Sequence, residues 1–136
     1  MNKEDKELLL KDLSSRLSYG VKAWENDWSP PFTIIGYDGA DFIDDDGWEH
    51  RIGRFKPYLR PLSSMTDNEK EEFTHAIELE LEALEDTENW GHTVKSSAST
   101  AFMIDFYNKY HFDYRGLIEM GLAIEVTEEN NTYKYI

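Results

Sequence analysis

The sequence predicts an α+β fold: an N-terminal helix, a five-strand SH3-like meander or small barrel, then two to three helices and a C-terminal β-hairpin. Leucines recur at helical spacing near the start of the chain. Short alternating and β-branched segments follow as far as residue 62, and a second helical stripe begins near Thr66.

The first helix is predicted over residues 3–17. Asn2 is a good N-cap residue, and Glu4 and Asp5 suit the positive end of a helix dipole. Gly20 is expected to stop the helix.

Strands are predicted at 19–24, 32–37, 40–44, 48–52 and 54–59. The dipeptides Asp38-Gly39 and Asp46-Gly47 favour two-residue hairpin turns between neighbouring strands. These signals predict a meander, and its closure into a barrel is expected by analogy, since closure removes exposed sheet edges.

The second half is predicted to begin with a capped helix. Thr66 and Glu69 have the spacing of a capping box, in which each side chain binds the backbone N–H of the other residue. Residues 96–99, Ser-Ser-Ala-Ser, resemble a linker, and a third helix is predicted over 101–110. A short helical turn at 114–120 and a hairpin of 122–126 with 132–136 complete the prediction.

The 136 residues fit one compact unit, within which residues 1–64 and 65–136 are expected to form two subdomains. The chain has 28 acidic and 14 basic side chains and a formal charge of −14. Most of this charge lies in residues 65–136, with 16 acidic against 5 basic side chains. Such a surface repels phosphates, so direct nucleic-acid binding is not expected.

The composition also narrows the compartment and the chemistry. The chain contains no cysteine, which excludes disulfides, thiolate metal sites and cysteine nucleophiles. The apolar run Leu8–Leu10 is shorter than a signal-peptide core, and no stretch approaches the roughly 20 apolar residues that span a bilayer. We therefore expect a cytoplasmic protein without a membrane partner.

No catalytic, cofactor or metal motif is found. The acidic run from Asp41 to Gly47 suggests a calcium loop, but that register would put Phe42 at the first ligand position and Gly53 at the last, so a hairpin turn is the better interpretation. The four histidines do not have metal-ligand spacing. No cofactor is therefore expected.

Three groups of residues are candidates for an interaction surface. They are an acidic helix face, the tryptophans of the meander, and a mixed aromatic and basic segment. An ordinary solvated helix face, core packing and a packed corner are the competing interpretations of these groups. The residues are Glu71, Glu72, Glu78, Glu82 and Glu85; Trp24, Trp28 and Trp48; and Tyr114 and Arg115.

The segments Asp5 to Leu17, Phe55 to Thr66 and Phe112 to Ile118 together resemble a family of small uncharacterised proteins. Members of that family are carried widely by gut anaerobic bacteria and are often prophage-associated. The resemblance implies an accessory role on a mobile element, and it implies neither a reaction nor site residues.

The leading functional prediction is non-enzymatic binding of another, basic protein through the acidic helix or the aromatic meander. One alternative is a DNA-mimic inhibitor of a nucleic-acid enzyme, in which carboxylates stand in for phosphates. A second is a small hydrolase or transferase, which a pocket holding a carboxylate beside a histidine would favour. A third is a structural phage component that assembles through a large apolar surface. The oligomeric state is left open.

Overall fold

The computed structural model describes residues 1–85 and 92–133, without the side chains of residues 76, 79–85 and 92–100. None of the helices it describes has the length and apolar character needed to cross a membrane. The elements are helices α1 (Lys3–Arg16), α2 (Asp67–Glu85) and α3 (His92–Lys109), and strands β1 (Val21–Trp24), β2 (Phe32–Tyr37), β3 (Phe42–Asp44), β4 (Glu49–His50), β5 (Lys56–Pro61), β6 (Phe112–Asp113) and β7 (Ile124–Glu125).

Strands β1 to β4 form an antiparallel meander, and β5 returns to lie beside β1. The sheet order is β4-β3-β2-β1-β5-β6, and both β6 and β7 run parallel to β5. The α+β class is confirmed, and each of the five predicted strands overlaps an observed strand. In the part of the chain that the structure describes, no ladder joins β4 to the opposite edge, so this sheet is open.

Helix α1 begins and ends at the predicted signals. The N–H of Asp5 donates to Oδ1 of Asn2 over 2.8 Å, which confirms the cap. After Arg16 a 3₁₀ turn leads to Gly20, whose φ of 69° is costly for other residues. A Cβ at Gly20 would also lie 3.3 Å from Cγ2 of Thr33, so glycine suits this junction between α1 and β1.

The core joins α1, the sheet and the segment that leads to β7. Each of its large side chains contributes roughly 1.5–3 kcal/mol by leaving water. Its buried members are Leu9, Leu13, Val21, Ala23, Ile34, Phe42, Phe55, Leu59, Leu117, Leu122 and Ala123.

Glu69 connects α2 to β5. Its Oε1 accepts from the N–H of Thr66 over 2.9 Å, and its own N–H donates to Oγ1 of Thr66 over 3.2 Å, which confirms the capping box. Both carboxylate oxygens also accept from Arg60 over 2.7 Å. Burial opposes ionisation of Glu69, but the hydrogen bonds and charge of Arg60 outweigh it, so the pKa of Glu69 is lowered.

The predicted start of the third helix is wrong. Helix α3 begins at His92, not near residue 101, and its backbone includes the linker-like residues 96–99. Serine costs a helix only a few tenths of a kcal/mol relative to alanine, so a short serine-rich stretch does not break one. Composition alone therefore could not locate the boundary.

The predicted C-terminal elements also differ from the structure. Strand β7 does not pair with residues 132–133, which form a turn; it pairs in parallel with β5, with Ile124 opposite Tyr58 and Glu125 opposite Leu59. Residues 134–136 lie outside the described residues. The helical turn predicted at 114–120 is reduced to a turn in which the N–H of Met120 donates to the carbonyl of Gly116. In the part of the predicted hairpin that the structure describes, residues 132–133 form no strand, and β7 pairs instead with a strand more than sixty residues earlier in the chain.

Tyr133 holds the C-terminal segment against the sheet. Its hydroxyl accepts from the N–H of Lys22 over 2.7 Å and donates to the carbonyl of Tyr58 over 2.8 Å. Its ring stacks on His111 with centroids 3.9 Å apart. His111 is buried with a φ of 62°, and burial lowers its pKa to about 4.

Candidate binding cleft

A cleft of about 530 Å³ lies between the β1–β2 loop and the β3–β4 hairpin. This volume is within the range of sites that bind small molecules. The cleft is lined by Lys22, Glu25, Ser29, Pro30, Pro31, Phe32, Thr33, Asp44, Asp45, Asp46, Trp48, Glu49 and His50.

The charge of the cleft is strongly negative. Five of the lining residues carry carboxylates, and the one lysine or arginine among them is Lys22. The Nζ of Lys22 donates a hydrogen bond to Oγ1 of Thr33. Carboxylates gathered in one cleft focus a negative potential there, which attracts cations.

Asp44 organises the β3–β4 hairpin. Its Oδ1 accepts from the N–H groups of Asp46 and Trp48 over 2.9 and 3.0 Å, and its Oδ2 lies 2.8 Å from Nε2 of His50. Burial opposes ionisation of Asp44, but these hydrogen bonds prevail and its pKa is lowered. Asp44 is therefore a carboxylate that fixes the turn, and both of its oxygens are occupied.

His50 is the partner of Asp44 and is held by aromatic packing. Its ring stacks on Phe32 with centroids 3.7 Å apart and 5° between the planes. Its Nδ1 is buried without a hydrogen-bond partner, 4.0 Å from Oε2 of Glu25. A general base must present a free nitrogen to the substrate, whereas Nε2 of His50 is bound and Nδ1 is covered. The cleft thus contains a histidine–carboxylate pair in a structural arrangement, and the hydrolase alternative stays a prediction.

The three predicted tryptophans lie in different environments. Trp48 lines the cleft with 71% of its surface exposed, and Trp28, in the β1–β2 loop, is 95% exposed. Trp24 is partly buried at the end of β1. Trp48 is therefore the better candidate for contact with a partner, because its exposed ring lines the cleft, whereas Trp28 lies outside the lining.

One glutamate of the predicted acidic face of α2 makes a contact within the fold. Glu72 accepts a hydrogen bond from the hydroxyl of Tyr110 over 2.6 Å, and this contact raises the pKa of Tyr110 to about 12. Glu71 and Glu78 are exposed and border a shallow depression of about 350 Å³. The side chains of Glu82 and Glu85 lie outside the described residues.

Tyr114 and Arg115 lie in a packed corner. Arg115 donates to Oδ1 of Asp12 over 3.2 Å, and its guanidinium lies 5.1 Å from the centre of the Tyr114 ring. The hydroxyl of Tyr114 donates to Oδ1 of Asn108 over 2.9 Å. Neither residue lines the cleft, so the structure separates them from Trp48 and favours the packing interpretation.

Glu25, Asp44 and His50 line the cleft and were not among the residues predicted for an interaction surface. A hairpin centred on Asp46-Gly47 places Asp44 and His50 on facing strands, and that signal could have found the pair. Glu25 has no comparable signal, because the β1–β2 loop that positions it has no fixed turn type.

Among the residues that the structure describes, no group of three or more histidine and acidic side chains is arranged to hold a metal ion. No protein-family model matches the chain. No curated protein and no solved structure shows significant similarity to it.

Proposed function

We propose that this protein is a non-enzymatic binding protein that holds a basic segment of another protein in the cleft. The observation that supports this most directly is an exposed indole, Trp48, next to the exposed carboxylates of Asp45 and Asp46 in a cavity with one lysine. Indole faces and carboxylates are both attractive to ammonium and guanidinium groups.

The dimensions of the cleft favour a peptide over a folded domain. About 530 Å³ accommodates a few side chains of an extended segment. We regard the sheet as SH3-like in this proposal, since β5 returns beside β1 and domains of that kind bind peptides in aromatic-lined grooves.

The charge of the whole chain also favours a basic partner. A formal charge of −14 produces a long-range field that accelerates the approach of cationic proteins and weakens with salt. The exposed Glu71 and Glu78 extend this field beyond the cleft. With the resemblance described above, we propose a cytoplasmic accessory role for a mobile element, with a host protein as the partner.

The test is a titration of short labelled peptides followed by fluorescence anisotropy. A lysine- and arginine-rich peptide should bind, an acidic peptide of equal length should not, and added salt should weaken the complex. Trp48→Ala should weaken binding about tenfold, whereas Trp28→Ala, which removes an equally large exposed ring outside the cleft lining, should have little effect. Equal loss in the two variants, or equal binding of both peptides, would refute the proposal.

The DNA-mimic alternative makes a different prediction, which an inhibition assay on a nucleic-acid enzyme tests. A mimic would inhibit a nucleic-acid enzyme in competition with DNA through its extended acidic surface, and Trp48→Ala would leave that inhibition unchanged. Charge-reducing substitutions on α2, such as Glu71→Gln with Glu78→Gln, would then have the larger effect.

A further inference from the structure

The tip of the β3–β4 hairpin presents two unused carboxylates beside an exposed ring. Asp45, Asp46 and Trp48 are all exposed, and all three line the cleft. Among the described residues, the carboxylates of Asp45 and Asp46 make no hydrogen bond or ion pair. Asp44, by contrast, has both oxygens occupied within the turn.

The hairpin tip is fixed before any ligand arrives. The N–H of Asp45 donates to the carbonyl of Thr33 over 3.0 Å, which ties the tip to β2. The N–H of Gly47 donates to the carbonyl of Asp44 over 3.0 Å, and Gly47 has a φ of 88°. The backbone of the hairpin tip is therefore ordered before a ligand binds, which lowers the entropic cost of binding.

We propose that the cleft selects arginine over lysine in the partner segment. This inference rests on the proposed function and specifies its ligand. A guanidinium is planar and has five N–H donors, so it stacks on an indole and pairs with carboxylates at the same time. A lysine ammonium is compact and strongly hydrated, and it gains less from stacking. Pro30 and Pro31 supply an apolar wall for the methylene stem of the arginine.

The experiment uses three peptides that differ at one central position, which is arginine, lysine or the neutral isostere citrulline. The arginine peptide should bind the unmodified protein about tenfold more tightly than the lysine peptide, and the citrulline peptide should bind weakest. In Trp48→Ala the arginine-to-lysine ratio should fall toward one. In Asp45→Asn with Asp46→Asn both cationic peptides should lose affinity, and Trp28→Ala should keep the ratio.

The outcomes separate this inference from the proposed function. Equal binding of arginine and lysine peptides, lost in Trp48→Ala, would overturn arginine selection and leave the basic-segment proposal standing. Binding of citrulline as tight as arginine would show that charge is not recognised and would overturn the inference. Binding of none of the peptides would overturn both proposals. Circular dichroism of each variant establishes that the fold is retained.

Discussion

The backbone N–H of Lys22 donates a hydrogen bond to the hydroxyl of Tyr133, a residue 111 positions later in the chain. The same hydroxyl donates to the carbonyl of Tyr58, so a side chain bridges β1 and β5 just beyond the point where their own pairing, Ala23 with Pro57, stops. The C-terminal segment thus supplies a hydrogen-bonded link between two neighbouring strands.

Replacement of this hydroxyl should destabilise the protein. Tyr133→Phe leaves the N–H of Lys22 and the carbonyl of Tyr58 without this partner, and we expect a loss of about 1–3 kcal/mol in the free energy of unfolding. Urea denaturation measures the loss. Tyr37→Phe is the control, because it removes the same atom where the hydroxyl makes no hydrogen bond among the described residues. Equal stability of the two variants would contradict the prediction.

The Arg60–Glu69 pair should make stability depend on pH. The folded pKa of Glu69 is lowered, so its contribution is full above the ordinary glutamate pKa and is lost as the pH falls through the folded value. Glu69→Gln should cost about 2 kcal/mol at neutral pH, since hydrogen bonds to charged groups contribute about 1.5–3 kcal/mol. The difference from the unmodified protein should shrink in acid. Glu71→Gln, on the exposed face of the same helix, should show no such trend.

The ion pair of Asp12 and Arg16 is completely buried. Nε and Nη2 of Arg16 donate to the carboxylate over 2.8 and 3.1 Å, and Arg115 shares it. Asp12→Ala leaves the Arg16 charge unpaired and should cost about 3–5 kcal/mol.

The double variant Asp12→Leu with Arg16→Leu tests whether Asp12→Ala lowers the free energy of unfolding because it leaves a buried charge unpaired. It should lose less stability than the two single leucine variants added together, because it buries no unpaired charge at these two positions. Strictly additive losses in denaturant unfolding would disprove the coupling.

His111 should confer a second pH dependence at a higher range. Its folded pKa is about 4 against an ordinary value of 6.5, so the unfolded chain binds more protons between these limits. Stability is therefore full above about pH 6.5 and decreases by up to roughly 3 kcal/mol as the pH falls toward 4. Stability curves measured over this interval show the slope.

His111→Asn is the informative variant for that slope. Asparagine tolerates the positive φ of this position but does not titrate. The variant should be less stable at neutral pH, because it loses the stacking on Tyr133, and its stability should vary less between pH 6.5 and 4.5. An unchanged slope would assign the acid sensitivity to other groups.

The parts of the fold that were predicted correctly depend on local signals. The Asn2 cap and the Thr66–Glu69 capping box each act over a few residues, and each was confirmed. The hairpin at Asp46-Gly47 is present, but its loop is longer than the predicted two residues, since Ile43 pairs with Glu49 and the N–H of Asp44 donates to the carbonyl of Trp48. The error at the C-terminal strand was non-local: β7 pairs with β5 across more than sixty positions, a choice that depends on which edge remains available after the rest has folded.

The candidate site was predicted only in part, because some of its residues are brought together by contacts between distant parts of the chain. Of the three tryptophans named as candidates for an interaction surface, Trp28 and Trp48 are exposed and Trp24 is partly buried. The sequence could not separate Trp48 from Tyr114 and Arg115, because the partner that draws Arg115 into a packed corner, Asp12, is 103 residues away. It also gave no indication that Glu25 faces the β3–β4 hairpin.

The position of β5 has a consequence for how the chain folds during translation. One side of β5 pairs with β1, which is made earlier, while its other partners, β6 and β7, are made only after residue 111. A nascent chain that has emerged as far as Pro61 therefore carries an unpaired strand edge, a known template for wrong association. That edge stays open until about sixty further residues have left the ribosome. Slow synthesis of α2 and α3 would lengthen this exposure, and a chaperone that shields β5 would have its greatest effect there.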